Sequence, residues 1–190
     1  MKELQDLILR EGKVIGNDIL KVDTFINYQV DPNLMTRIGQ NFADHFKDKG
    51  ITKVITIESS GIAPALMTAK ELDVPMAILK KQPSKEINEN NYQTQVTSYT
   101  TKKDYELCLS TDVISSDDHV LLIDDFLADG EALTGAMRLI RMAHATVGGI
   151  GILIEKTYQP GHEKIRNQGI DVHSLVKIQQ MDELQITFLD

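Results

Sequence analysis

Val120-Leu121-Leu122-Ile123-Asp124-Asp125-Phe126-Leu127-Ala128-Asp129-Gly130-Glu131-Ala132-Leu133-Thr134-Gly135 is the stretch on which the fold turns. Four apolar residues make a buried strand that ends in two adjacent acids. A short loop follows, and a helix starts near Gly130. A near-continuous apolar run suits a parallel strand covered on both faces. Backbone N–H groups at a helix start form an anion site, aided by the helix dipole. Paired carboxylates can accept hydrogen bonds from ribose hydroxyls or hold Mg²⁺. Together these features describe a sugar phosphate lying across the strand end. A capping acid beside a tight turn is the plainer account, and Asp-Asp alone is a weak signal. Neither GxxxxGK[ST] nor GxGxxG occurs, so P-loop and dinucleotide readings lose support.

Working outward, two more apolar runs have the same form. Val54-Ile55-Thr56-Ile57 leads into Glu58-Ser59-Ser60-Gly61, and the Gly-rich run 147–154 leads into Glu155-Lys156. Helical patterns lie between them, at 64–72 and at 130–145. Alternating strand and helix predicts an α/β fold with an open sheet and right-handed crossovers. In such sheets ligands bind beyond the carboxyl ends of the strands, where all three polar clusters stand. The glycines at 148, 149 and 151 fall inside a strand and fit close packing. Leu4, Leu7 and Ile8 predict an N-terminal helix over 2–11. A second helix is expected from Asp31-Pro32, with Asp31 as cap, Pro32 in the first turn and Gly50 as its end. Residues 75–79 read as a strand followed by Lys80-Lys81. Residues 82–104 are polar and without helical period, which suits a lid, a disordered segment or a plain hairpin excursion.

The 190 residues suffice for one domain spanning 1–190, and no repeat or linker divides them. Hydrophobic content of 42% and charged content of 25% are ordinary for a globular chain. A net charge of -8 argues against nonspecific nucleic-acid or membrane-surface binding, but not against a locally positive phosphate pocket. The single cysteine, Cys108, lies in a strand-like run and reads as a buried thiol with no intrachain disulfide. No apolar run has signal-peptide or membrane-span length, which predicts a cytoplasmic location.

The run 120–135 resembles the signature for 5-phosphoribosyl-1-pyrophosphate (PRPP) in type I phosphoribosyltransferases: four apolar residues, two acids, two apolar residues, then a phosphate loop. The resemblance implies that family's fold, an open, mainly parallel sheet flanked by helices, with a small hood and a flexible lid loop. It implies that Asp124 and Asp125 bind the ribose hydroxyls as the catalytic acids. Ala128, Asp129, Gly130, Glu131 and Ala132 would wrap the 5-phosphate. Many members have Thr where this chain has Asp129 and Ala132, so backbone donors must do more and two acids must point away from the anion. Ile57-Glu58-Ser59-Ser60-Gly61-Ile62 looks like the family's pyrophosphate loop, with Ser59, Ser60 and Gly61 offering backbone amides and Gly61 allowing close approach. Lys81 resembles the pyrophosphate-binding lysine; on residue type alone Lys80-Lys81 is a solvated edge. Residues 82–104, with Ser98-Tyr99, resemble the mobile cover over PRPP.

The stretches 20–27, 58–65 and 154–161 look like the bacterial members that act on xanthine, a match over essentially the whole chain. It implies a base hood, from about residues 1–30 and the C-terminal segment, that includes Leu20 and Asn27. Lys156 would reach the purine 6-oxo oxygen, with Tyr158 beside it. Taken alone, Lys156 equally suits a salt bridge to Glu155 or another acid. The implied reaction joins xanthine to PRPP, with Mg²⁺ brought in by PRPP, in a homodimer. Oxopurine-specific relatives often carry Asp at the position of Ala128, so no general base is named. A guanine/hypoxanthine or adenine transferase, or a PRPP-sensing regulator, stays open. A regulator needs a DNA-binding element, for which about 30 residues before Asp31 and a charge of -8 leave little room.

Overall fold

The computed structural model describes residues 1–82, 90–97 and 104–189. The chain opens with α1 (Lys2–Glu11), a hairpin of β1 (Lys13–Ile15) and β2 (Ile19–Lys21), and a π-helical turn at Asp23–Asn27. Then come α2 (Pro32–Phe46), β3 (Lys53–Ile57), α3 (Ile62–Leu72), β4 (Met76–Gln82), β5 (Asn91–Thr97) and β6 (Asp104–Ser110). The remainder is β7 (His119–Leu127), α4 (Glu131–Met142), β8 (Thr146–Lys156), α5 (Gly161–Arg166), β9 (Val172–Met181) and β10 (Ile186–Leu189). Eight strands form one sheet in the order β10-β9-β8-β7-β3-β4-β6-β5. The run β4-β3-β7-β8-β9 is parallel, and β10, β6 and β5 add antiparallel edges.

Two apolar layers sandwich this sheet because successive strand residues point to opposite faces. Val54, Leu121 and Ile123 join Leu4 and Ile8 of α1, Phe42 and Phe46 of α2, and Ala65 of α3. Ile55, Leu122 and Ile152 join Leu133, Ala136 and Ile140 of α4 and Ile165 of α5. The strand glycines do what their position predicts. A Cβ at Gly149 would lie 2.3 Å from the Phe46 ring, and one at Gly151 would lie 2.8 Å from Phe42. Asp31 caps α2 by accepting from the amides of Asn33 at 2.8 Å and Leu34 at 3.2 Å. A 3₁₀ turn at Lys47–Lys49 extends α2, and Gly50 closes it with φ 69°. Cys108 is 3% exposed on β6, and burial pushes its thiol up.

Two elements differ from the sequence expectation. Strand β7 does not stop at Ile123 but carries Asp124 and Asp125 onward to Leu127. Its neighbour β8 runs just as far, pairing Phe126 with Ile154 and Leu127 with Glu155. The polar stretch 82–104 contains strand β5, paired with β6 from Asn91↔Ser110 to Thr97↔Asp104. Alternating Thr94 and Val96 bury one side of β5. That side packs on α4, where a Cβ at Gly135 would meet Val96 at 2.5 Å and Arg138 Nη1 donates to Thr94 Oγ1 at 2.6 Å. Residues 83–89 and 98–103, including Ser98-Tyr99, lie outside the described residues. Among the described residues no helix is long and apolar enough to cross a membrane.

Candidate active site

The ends of β3, β4 and β7, the loop after β3 and the start of α4 enclose a cleft of about 270 Å³. Its walls include Ser59, Ser60, Lys81, Tyr105, Asp124, Asp125 and residues 128–132. The acid pair stands at its centre because β7 overruns its apolar segment by those two residues. Each acid is braced by the next amide: Asp124 Oδ1 accepts from Asp125 N, and Asp125 Oδ1 accepts from Phe126 N, both at 3.0 Å. Asp124 is 7% exposed. Burial, and after it the charge of Asp125, pushes its carboxyl well above the ordinary range. A group in that state is prepared to hold a proton or to meet a cation and hydroxyl donors.

Residues 128–132 lead directly into α4. Gly130 adopts φ 79°, a left-handed conformation that a side chain would strain. A Cβ there would also lie 3.0 Å from Gly161 Cα, and Gly161 N donates to Ala128 O at 2.9 Å. The two loop acids behave differently. Glu131 turns away and pairs with Lys164 at 2.8 Å. Asp129 folds back on the loop, its Oδ1 accepting from the Glu131 amide at 3.1 Å. One of the amides expected to face an anion is therefore already taken.

The loop after β3 supplies Ser59 and Ser60 to the cleft, but Gly61 does not line it. A Cβ at Gly61 would lie 2.3 Å from Thr56 Oγ1, so packing against β3 itself requires a glycine there. Glu58 joins this loop to β4 by accepting from Lys81 N at 2.6 Å and pairing with Lys80 at 3.1 Å. Burial raises the Glu58 carboxyl, but the Lys81 amide and Lys80 outweigh it and hold it below the ordinary range. The two lysines thus part company: Lys80 bridges an exposed edge, while Lys81 lines the cleft with its Nζ 5.7 Å from the Tyr105 ring centre.

Tyr105 is a cleft residue that no sequence motif marks. Burial raises its phenol, and the charges of Asp124 and Asp129 add to that. Only the antiparallel return of β6 beside β4 brings it there; an aromatic in a strand-like run carries no such signal. Thr97 and Phe126 also line the cleft without having been singled out.

Lys156 ends β8 beside the cleft, its Nζ 5.6 Å from the Phe126 ring centre. It does not pair with Glu155, which faces the other side of the strand toward Ser174 and His162. Instead its ammonium donates to the carbonyl of Asp18 in the β1–β2 turn. Burial lowers the ammonium, and Asp18 partly restores it. Gln159 Nε2 holds the Asp18 carboxylate at 3.3 Å, and Glu183 Oε1 accepts from Gly16 N at 3.2 Å. The N-terminal hairpin is thereby fixed to the ends of β8 and β9. Leu20 and Asn27 are placed differently. Leu20 is 6% exposed in the apolar layer, and Asn27 is exposed at the end of the π turn; neither lines the cleft.

Comparison with known proteins gives this geometry a context. The profile of the phosphoribosyl transferase domain matches residues 27–179. The chain is 68% identical over 190 residues to a xanthine phosphoribosyltransferase of Agathobacter rectalis, covering 100% of this chain and 99% of that one. It is 52% identical over 189 residues to xanthine phosphoribosyltransferase 1 of Clostridium botulinum strain Hall, covering 100% of both. Among solved structures it resembles the adenine phosphoribosyltransferase of Giardia lamblia complexed with 9-deazaadenine. That match has a TM-score of 0.76 at 22% identity, over 92% of this chain and 97% of that one. The adenine phosphoribosyltransferase of Rhodothermus marinus gives a TM-score of 0.75 at 20% identity, over 93% and 99%.

Proposed function

Because this chain belongs to the phosphoribosyltransferase family, we propose that it transfers the 5-phosphoribosyl group of PRPP to xanthine, giving xanthosine 5′-monophosphate and pyrophosphate. The observation that carries this is the single cleft that joins the acid pair, the loop at the start of α4, Ser59-Ser60 and Lys81. In the reaction the C1–O bond to pyrophosphate breaks, a bond from purine N9 to C1 forms, and the base loses a ring proton. Positive charge gathers on the ribose ring and negative charge on the leaving group.

Each cleft residue takes a part of that task. Asp124 and Asp125 hold the ribose hydroxyls and so fix C1 against the base. The amides of 128–132 and the start of α4 hold the 5-phosphate. Lys81 and the amides at Ser59 and Ser60 meet the pyrophosphate where charge develops. Gly61 supports that loop from behind. Mg²⁺ suits this cleft: it takes oxygen ligands, usually one or two carboxylates plus substrate phosphates, and two adjacent carboxylates are present. When bound with PRPP it neutralises pyrophosphate charge. With Ala128 in the loop, no protein base is assigned; xanthine is acidic enough to lose its proton readily.

Lys156 is a donor-only group and suits a 6-oxo oxygen, whereas adenine would present a donor to it. Leu20 and Asn27, on the hairpin and π turn, are assigned to xanthine through the backbone and amide groups they present when the hood receives the base. The enzyme would work as a cytoplasmic homodimer in purine salvage, a single domain with its hood from residues 1–30 and the C-terminal segment. At saturating PRPP, kcat/KM is expected to rank xanthine first, guanine and hypoxanthine below it and adenine last. Lys156→Ala should lose activity on all three oxopurines. Adenine as the best substrate would refute the role of Lys156. Guanine equal to xanthine would leave a purine transferase without the xanthine assignment.

A further inference from the structure

Glu155 is a buried carboxylate that the proposed reaction does not use. It is 2% exposed and points to the side of β8 opposite Lys156. One oxygen accepts from Ser174 Oγ, and the other lies 2.9 Å from His162 Nδ1. That approach has the distance of an ion pair but not the direction of a hydrogen bond, since Nδ1 is otherwise without a partner. It fixes the imidazole on the first turn of α5, with Nε2 unpartnered among the described residues. Lys177 stands beside Glu155 on β9, and Arg166 ends α5. Neither forms an ion pair among the described residues, on a chain whose acids outnumber Lys and Arg by 28 to 20. Arg166, Lys177 and His162 all line one cavity of about 500 Å³ between α5 and the β8–β10 edge. Tyr158, 42% exposed, and Leu189, 38% exposed, give the same cavity an aromatic and an aliphatic wall.

We propose that this groove is a second binding site, separate from the cleft, for an aromatic phosphate monoester of the nucleotide class. Arg166 and Lys177 receive the phosphate, since guanidinium and ammonium give charge-assisted hydrogen bonds to phosphoryl oxygens. His162 adds a donor. The ring lies against Tyr158 and Leu189, as aromatic groups favour such walls. The volume falls within the range of small-molecule sites. Glu155 stays 2% exposed, held by Ser174 Oγ and facing His162, and Glu163 is the other carboxylate on the lining.

The groove also has a route to the cleft. Helix α5 carries His162 and Arg166 on one side and touches the phosphate loop with the other. Gly161 N donates to Ala128 O at 2.9 Å, and Lys164 pairs with Glu131 at 2.8 Å. A Cβ at Gly161 would lie only 2.4 Å from Ala128 O, so the fit has no slack. A ligand that pulls on α5 shifts the support of that loop and changes PRPP affinity, and PRPP changes the ligand's affinity by the same factor. This coupling rests on the PRPP reading of the cleft; the groove itself does not.

The test is calorimetric titration of the full chain with adenosine 5′-monophosphate, with and without saturating Mg²⁺ and PRPP. With the cleft filled, wild type should still bind one equivalent. Arg166→Ala with Lys177→Ala should weaken that binding about tenfold or more, the scale of one charged hydrogen bond, while kcat with xanthine at saturating PRPP is unchanged. Should the double variant lose turnover, Arg166→Lys should bind and Arg166→Gln should not. Binding that vanishes when PRPP fills the cleft, or that persists undiminished in these charge-removing variants, overturns the site. If PRPP itself fails to bind, the function proposed for the cleft falls, and the titration without PRPP still decides the groove.

Discussion

A carboxylate placed in a phosphate loop must be neutralised, turned aside or tolerated, and the two loop acids show two of these outcomes. Glu131 is drawn off by Lys164, whereas Asp129 forms no ion pair among the described residues and its Oδ1 occupies the Glu131 amide. Asp129→Asn retains an oxygen that can cap that amide and removes the repulsion. The KM for PRPP should therefore fall by roughly 3- to 10-fold, about 1 kcal/mol, with kcat little changed. Steady-state kinetics against PRPP at fixed xanthine measures this, and a KM that stays put or rises would show that the carboxylate does not oppose the phosphate. The divergence of the two acids was legible only in part. Sequence order puts both in the loop, but the ion pair needs Lys164, which α5 brings back from far along the chain. Tyr105 escaped for the same reason: its place depends on a strand return, not on its neighbours in sequence.

At the scale of the element, β7 is the unit that makes the site. Its apolar residues bury it on both faces, and its pairing with β8 carries the acids out of the core with the strand still intact. Asp124 ends up nearly buried with its carboxyl pushed up by burial and by Asp125. A carboxyl raised on folding favours the folded state only while both states are protonated. That contribution is present below the unfolded value of about 3.9 and is lost as pH rises through the folded one. Above about 3.9, burying this carboxyl is thus a burden on the empty protein. Asp124→Asn should melt no lower than wild type at pH 7, and its advantage should shrink as pH is lowered toward 4. The same variant should lose nearly all turnover, separating function from stability. A variant that melts well below wild type at pH 7 would mean that the carboxylate is structural. The continuous apolar runs made β3, β7 and β8 readable, whereas β5 is polar on one side, and its Thr94–Val96 alternation is too short to stand out until α4 is beside it.

For the whole molecule, the helix-and-strand order predicts a parallel sheet with its ligand at the carboxyl ends, and the sheet places the acid pair, Lys81 and Ser59-Ser60 together there. Sequence order does not predict which distant elements meet away from the cleft, and one such seam sets the response to acid. Where α2 crosses β9, the rings of His45 and His173 stack with centroids 4.1 Å apart. His45 Nε2 lies 3.0 Å from Asp171, which also pairs with Lys49, and His173 Nε2 lies 2.9 Å from Asn41 Oδ1. Burial, then the charge of His45, lowers His173 from 6.5 to about 4, against a smaller opposing pull from Asp171. Between those values the unfolded chain takes up a proton that the folded chain refuses. The stability this group contributes is complete above about 6.5, declines as pH falls toward 4, and is gone below the folded value. Asp171, held low chiefly by His45 and Lys49 against its own burial, loses its contribution in the same direction at lower pH. Asp124 works the opposite way from about 3.9 upward, so the slope must be read by difference. Melting temperatures from pH 7 to 4.5 should fall for wild type, and His173→Gln, which keeps an amide donor for Asn41 but cannot titrate, should show a shallower fall. His45→Gln should flatten it too, by removing the charge that opposes protonation of His173. An unchanged slope in both variants would place the acid sensitivity elsewhere in the fold.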